Sequence, residues 1–333
     1  MNYQYFTALL SAALIASASS LARADMGLAP VGPEGTYVSF EGGYLYQDGP
    51  DVIGHGINPS ATSFANVLVS PNDGWFVGGM IGFASAQRYL PPLPVSRTEI
   101  YLSYSDADAS VTSSAPPLSA TNLKSVDGSA FGGGGLDGHT SVSRTTWEGG
   151  LRFEGDDIIS PTSTLTWVLS PFIRFSDEDT ASAVDGCCTV QRNAEVKSRL
   201  YGALVALEPE IAVTPGVSLV GRVGAGIYGY RVHGSFHSQS SNPAPDPFAA
   251  DLLDSDSGVG FRGQLGAGLK FKLWQGARLE TFVEADYFSD IGTATLADND
   301  PAAATSSIVS TDDLWELKAG ARLTVGLGGG NLP

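Results

Sequence analysis

Past residue 24 the sequence has no apolar run that approaches the ~20 residues a membrane-crossing helix needs, so a helical membrane protein is excluded. Cysteine is nearly absent. Cys187 and Cys188 are the pair, and two adjacent cysteines cannot staple a small domain the way a disulfide framework does. Histidine is scarce, and no zinc spacing joins His55, His139, His233 and His237. His233 and His237 would share a strand face about 13 Å apart at ~3.3 Å per residue, too far to hold one metal. Bases are few: 18 Lys and Arg stand against 35 Asp and Glu, a net charge of −17, which disfavours nucleic acid because its phosphates would be repelled. No Gly-x-Ser-x-Gly elbow or phosphate loop occurs. Gly132–Gly135 has no helix after it, so it reads as flexible loop and not as a dinucleotide fingerprint.

What is present begins with an export signal. Residues 1–24 carry an apolar run from Phe6 to Leu21 and then Ala22-Arg23-Ala24, an A-x-A cleavage pattern before Asp25. The first residues lack Lys and Arg, a departure from the usual signal. A single anchoring helix is the competing reading, against which the run is short and rich in Ser and Ala. No cysteine follows the cleavage site to take a lipid anchor. In an oxidising compartment Cys187 and Cys188 can close on each other, but that ring spans one peptide bond and constrains almost no chain entropy. Inert thiols, or metal binding by the pair, are the alternatives.

The mature chain alternates. From Leu314 to Leu327, Trp315, Leu317, Ala319, Ala321, Leu323, Val325 and Leu327 share one face, and Glu316, Lys318, Arg322 and Thr324 share the other. Ten such stretches occur: Thr36–Gln47, Gly74–Gln87, Arg97–Ser105, Ser141–Glu154, Thr164–Ser176, Ala194–Val213, Val217–His233, Gly258–Leu273, Arg278–Ser289 and Leu314–Leu327. The gaps between them are alternately long and short, as extracellular loops and periplasmic turns are. The pattern predicts an all-β, antiparallel transmembrane β-barrel of about ten strands over residues 36–327. A periplasmic segment, 25–35, would precede it and a tail, 328–333, follow. Twelve strands result if Ser110–Thr140 hides a hairpin. A soluble sandwich would not produce the alternating gaps. In the sixth stretch Arg199 falls in phase with Tyr201, Val205 and Leu207, which predicts a bulge there or an end that rises above the membrane. Trp75, Trp147, Trp167, Trp315, Tyr44, Tyr46, Tyr104 and Tyr287 are the candidate interfacial aromatics.

The opposite faces assemble a mixed-sign lumen. The first and third strands give Glu41, Arg97 and Glu99; the fourth and fifth give Arg144, Glu148, Arg152 and Arg174. The seventh and eighth give Arg222, Arg262, Lys270 and Lys272, the ninth Glu280, Glu284 and Asp286, and the last Glu316, Lys318 and Arg322. Ten strands lie near the side-chain-filled end of the barrel range, so the lining reads either as an ion-pair plug or as a narrow charged pore. The five long loops hold twenty acids and, as bases, only Lys124 and Arg192. A solvated acidic surface is the simplest reading; divalent cations bridging to lipopolysaccharide, or cationic ligands, are the functional ones.

Phe40-Glu41-Gly42-Gly43-Tyr44-Leu45, Gly74-Trp75-Phe76-Val77-Gly78-Gly79 and Trp147-Glu148-Gly149-Gly150-Leu151-Arg152-Phe153 make the chain resemble bacterial outer-membrane β-barrel proteins. More loosely it resembles the Legionella-type major outer-membrane protein family. That resemblance implies the bacterial outer membrane, lipid and lipopolysaccharide as neighbours, the barrel-assembly machinery as a partner, and passage of small solutes or ions. The usual aromatic end of the last strand is missing, since the chain runs on to Pro333. An adhesin-like barrel acting through its acidic loops is the second reading. A third is an omptin-like protease built on Asp106-x-Asp108 and Asp137-x-His139, pairs that flank one loop where opposed walls are needed. No enzyme activity and no cofactor are expected.

Overall fold

A computed structural model describes residues 35–49, 52–57, 64–69, 72–90, 93–115, 123–124, 130–131, 136–185, 190–240, 249–274, 276–294 and 309–327. The export signal and Cys187-Cys188 lie outside the described residues. Apart from its tight turns the described chain is strand: β1 (Gly35–Asp48), β2 (Val52–Ile57), β3 (Phe64–Val69), β4 (Asp73–Leu90), β5 (Leu93–Ala115), β6 (Leu123–Lys124) and β7 (Ala130–Phe131). It continues through β8 (Leu136–Ser160), β9 (Ser163–Asp185), β10 (Val190–Thr214), β11 (Val217–Ser240), β12 (Ala249–Trp274), β13 (Ala277–Ala294) and β14 (Val309–Gly326).

Ten of these close a ring in the order β1-β14-β13-β12-β11-β10-β9-β8-β5-β4. Every neighbouring pair is antiparallel, and the seam is β1 on β14, with Glu41 opposite Arg322 and Tyr46 opposite Leu317. The ten sequence stretches are these ten strands. The twelve-strand alternative fails, because β6 and β7 form a separate two-stranded sheet inside Ser110–Thr140 and never join the wall. A second small hairpin, β2 with β3, sits in the first loop.

Closure removes both sheet edges, which is what lets a sheet cross a membrane with every backbone polar group satisfied. The outer face supplies the matching apolar band: Phe40 is 64% exposed, Leu102 55%, Val205 57%, Ile227 67% and Leu265 64%. Side chains of that size are left bare on so many adjacent strands only where lipid covers them. On the long-loop side the band ends in aromatics. Trp75, Tyr104 and Trp147 stack in a ladder with ring centroids 5.3 and 4.7 Å apart, and Tyr287 stacks on Trp315 at 4.9 Å. This is the architecture of an outer-membrane β-barrel.

One expectation is corrected and one is resolved. The long gaps are shorter than the sequence suggests, because the strands run on past the aromatic ladder: β9 reaches Asp185 and β10 begins at Val190. Many carboxylates assigned to loops, including Asp106, Asp108, Asp177, Glu178, Asp179 and Asp256, therefore lie on strands. Of the two alternatives at Arg199, the bulge is absent and the rising strand end is what the structure shows. The register of β10 on β11 is continuous there and shifts only between Ala212 and Thr214. Arg199 is in phase with Tyr201 because it truly faces outward, one step above the apolar band.

The short connections are tight. Gly276, at φ 93°, turns β12 into β13 in a conformation that glycine adopts without Cβ strain. With both cysteines replaced by serine, Thr162→Cys in the β8–β9 turn should react with an impermeant maleimide only after the outer membrane is opened. Asp179→Cys should react on intact cells. Labelling in the reverse order would invert the topology.

Candidate functional site

All the predicted lumenal residues lie on the inward parity of their strands, and the bore they fill is too narrow to leave them apart. Arg174 on β9 and Glu316 on β14 stand five places apart in a ring of ten, so they belong to opposite walls. Yet Arg174 Nη2 lies 2.5 Å from Glu316 Oε1, and Nη1 donates to Oε2 at 3.1 Å. Gln47 Nε2 donates to the same carboxylate at 2.8 Å, and Lys318 approaches it at 3.4 Å. A second crossing runs from Arg262 on β12 to Glu148 on β8, 2.9 Å, with Asp286 on the other flank of Arg262 at 3.1 Å. Lys318 Nζ lies 3.5 Å from Asp286.

Aromatic rings occupy the space between these ions. The Arg174 guanidinium sits 4.3 Å over Phe288, and Arg262 sits 4.8 Å from both Phe172 and Phe288. A guanidinium is delocalised and weakly hydrated enough to stack and pair at once, which an ammonium does less well. Sequence reasoning gave the charges of this layer but not Phe172 and Phe288. Both share the inward parity of the charged residues on their strands, Arg174 and Asp286.

Below this layer, toward the short turns, the pairing is denser. Arg152 reaches Glu208 at 2.5 Å and Glu154 at 2.9 Å, and Arg222 joins Glu208 to Glu284 at 2.7 and 2.5 Å. Arg97 holds Glu154 and Asp156 at 2.8 and 2.7 Å; Tyr37 donates to Glu99 at 2.5 Å. Lys270 pairs with Glu210 at 2.9 Å, and Arg322 with Glu41 at 2.6 Å and Glu280 at 3.6 Å. Lys272 is exposed at the end of β12 and lines the mouth only. Glu208 and Glu210, which flank Pro209, escaped the sequence reading because Arg199 had blurred the phase of that strand. Two cavities of about 100 Å³ each remain among these groups, room for a few waters.

Above the Arg174 layer apolar clusters join the inward polar residues of β8 and β9, among them Thr140, Ser176, Thr180 and Ser182. Phe172, Leu200, Tyr228, Phe288, Ile291 and Leu314 form one cluster, and Val142, Ala194, Val196, Val232, Ala294 and Val309 form another. The end of β13 supplies the closing piece. Asp290 takes a positive φ of 58° where the pairing with β14 shifts between Phe288 and Ile291. Beyond that kink Ile291 to Ala294 are all buried. Glu178 of β9 accepts from Thr293 Oγ1 at 2.9 Å and from the Ala294 amide at 3.1 Å, across the mouth, while Arg144 pairs with Glu178 from β8.

The omptin-like pairs do not converge. Asp106 and Asp108 face outward on β5, and His139 is exposed on β8 opposite Thr112, four residues above the Ser143 that faces Asp108. Among the described residues no three His, Cys, Asp or Glu side chains gather as metal ligands.

A scan against protein-family models finds no match, and neither does a search of curated proteins. Among solved structures the chain is similar to the outer membrane protease OmpT from Escherichia coli, at 8% identity over 91% of this chain and 99% of that one, TM-score 0.45. It is similar to the translocator domain of the autotransporter NalP from Neisseria meningitidis, at 9% identity over 96% and 95%, TM-score 0.37. A third is Ail, the attachment invasion locus protein of Yersinia pestis, at 11% identity over 87% and 99%, TM-score 0.24. Similarity this low carries no argument about activity; the barrel rests on its own closed ring.

Removing one partner of a buried ion pair leaves an uncompensated charge, which costs about 3–5 kcal/mol, whereas replacing both by apolar groups is often neutral. Arg174→Leu should therefore lower the unfolding free energy of the refolded barrel by that order, seen as a lower urea midpoint. Arg174→Leu combined with Glu316→Leu should recover most of the loss. If the single substitution leaves the midpoint unchanged, the transverse pair does not hold the walls together.

Proposed function

We propose that the protein is an outer-membrane barrel whose bore is sealed, serving the envelope as a rigid wall-spanning element and not as a general diffusion pore. The observation that carries this is the Arg174–Glu316 pair, which joins opposite walls at mid-height with aromatic rings packed around it. The apolar clusters and the β13 end close the bore a second time above it. A solute would have to part ion pairs and displace a hydrophobic plug in one passage.

The narrow-pore reading, which the Legionella-type resemblance favours, has one observation behind it. The two cavities share Arg152, Glu208 and Arg322 and run upward from the short-turn end, so a charged half-channel stops at the Arg174 layer. In that reading the same residues are a selectivity lining and the transverse pairs are a gate.

Planar bilayers separate the two. The refolded protein should give no single-channel steps, and Arg174→Ala with Arg262→Ala should give small, cation-selective ones only when the plug above is opened as well, as by Ile291→Gly with Leu314→Gly, because Glu148, Asp286 and Glu316 then line a continuous opening. Steps of regular size from the unaltered protein would overturn the sealed-barrel reading in favour of the pore.

A further inference from the structure

Arg199 remains unexplained by the lumen, the plug or the lipid band. It faces outward on β10, and its register partner on β11 is Arg231, which is also exposed. Directly opposed residues on one face of an antiparallel pair have Cβ atoms about 5 Å apart, and like charges there repel. Among the described residues neither guanidinium has an ion pair or hydrogen bond. Nearby charge does not relieve them. Lys197, opposite His233 one step higher on the same face, is held by Glu195 at 2.6 Å. Asp177 is opposite Lys197, not Arg199, whose partner on β9 is Phe175. Beyond Arg231 the next strand offers Ser257.

The height of the pair is as specific as its charge. On β10 the outward residues below Arg199 are Tyr201, Ala203, Val205 and Leu207; on β11 those below Arg231 are Gly229, Ala225, Val223 and the well-exposed Ile227. The two arginines are thus the first charges met on leaving the apolar band on the long-loop side, where the headgroups of the outer leaflet begin. Elsewhere this outer wall above the band is dominated by carboxylates, so two unpaired bases at this level are an exception.

We propose that Arg199 and Arg231 form a binding site for a phosphomonoester carried by a glycolipid headgroup of the outer leaflet. A dianionic phosphate accepts paired N–H bonds from both guanidinium forks and converts their repulsion into a shared contact. Its acyl chains lie down the band over Tyr201 and Ile227. The proposal rests on the outer-membrane reading above.

The test uses the full-length protein refolded in dodecyl maltoside micelles, doped with diphosphorylated lipid A, with its fully dephosphorylated form, or with inorganic phosphate in solution. The diphosphorylated lipid should raise the thermal unfolding temperature and the other two should not. Arg199→Gln with Arg231→Gln should weaken that binding about tenfold or more, while in lipid-free micelles the same variant should unfold at an equal or higher temperature, since a repulsion is gone. The single substitutions read the same change should the double variant fail to refold. Equal binding by variant and parent, equal stabilisation by the dephosphorylated lipid, or equal stabilisation by inorganic phosphate would each overturn the site. Failure of the parent to insert into phosphate-free galactolipid vesicles would instead overturn the membrane reading, which keeps the two failures apart.

Discussion

The fold depends on the narrowness of a ten-stranded ring. Side chains from opposite walls meet, so every charge that points inward must find its counter-charge inside the same small section of the barrel. Two ions taken out of water are stabilised by one another only when the geometry is good and their remaining hydrogen-bond capacity is used. Glu316 meets that condition with Arg174 on one side, Gln47 on another and Lys318 close by. Arg262 meets it by lying between Glu148 and Asp286 with phenyl rings over its plane. Fixing strand β9 to β14 through such a bond sets the cross-section, and the pairing tiers below have to fit within it.

The same narrowness explains why the upper bore closes around apolar clusters. A strand segment turned inward above the Arg174 layer can fill space only if its own amides and hydroxyls are satisfied there. Glu178 does this, since one carboxylate oxygen accepts from both the Thr293 hydroxyl and the Ala294 amide while the other meets Arg144. The kink that directs the segment inward falls on Asp290, a residue type that tolerates the left-handed region better than most. A buried acid of this kind serves as an anchor for a plug, where its parity alone would suggest a pore lining.

Strand number, strand phase and the charged lumen were legible in the sequence because a period of two survives wherever lipid faces one side and paired ions the other. Carboxylates on the ninth stretch (Glu280, Glu284, Asp286) between bases on the eighth and the last (Arg262, Lys270, Lys272, Arg322) follow from the alternation alone, although in register Arg262 stands opposite Phe288 and meets Asp286 diagonally. What could not be read was anything set by distance across the ring. Nothing local in the chain links Arg174 to Glu316, and Phe172 and Phe288 carry the composition of lipid-facing residues on the inward parity. The plug was illegible for a related reason, since Ile291 to Ala294 are buried on both sides and so lose the alternation that marks a strand wall. The strand ends were missed because polar residues on both faces above the membrane resemble loop.

Those extended ends change what the acidity means. On flexible loops, carboxylates move apart and their repulsion relaxes. On β9 and β10, Asp177, Asp179 and Glu195 are held by the ladder, with same-face neighbours two residues or one strand away, about 5–7 Å. That spacing lies inside the ~8 Å screening length of physiological salt, so the repulsion persists. A rigid negative collar above the membrane follows from the same closed ring that seals the bore. It also gives the two arginines at its foot their significance: in a field of fixed carboxylates a cation gains by pairing with them, and Arg199 and Arg231 instead stand side by side, facing the leaflet.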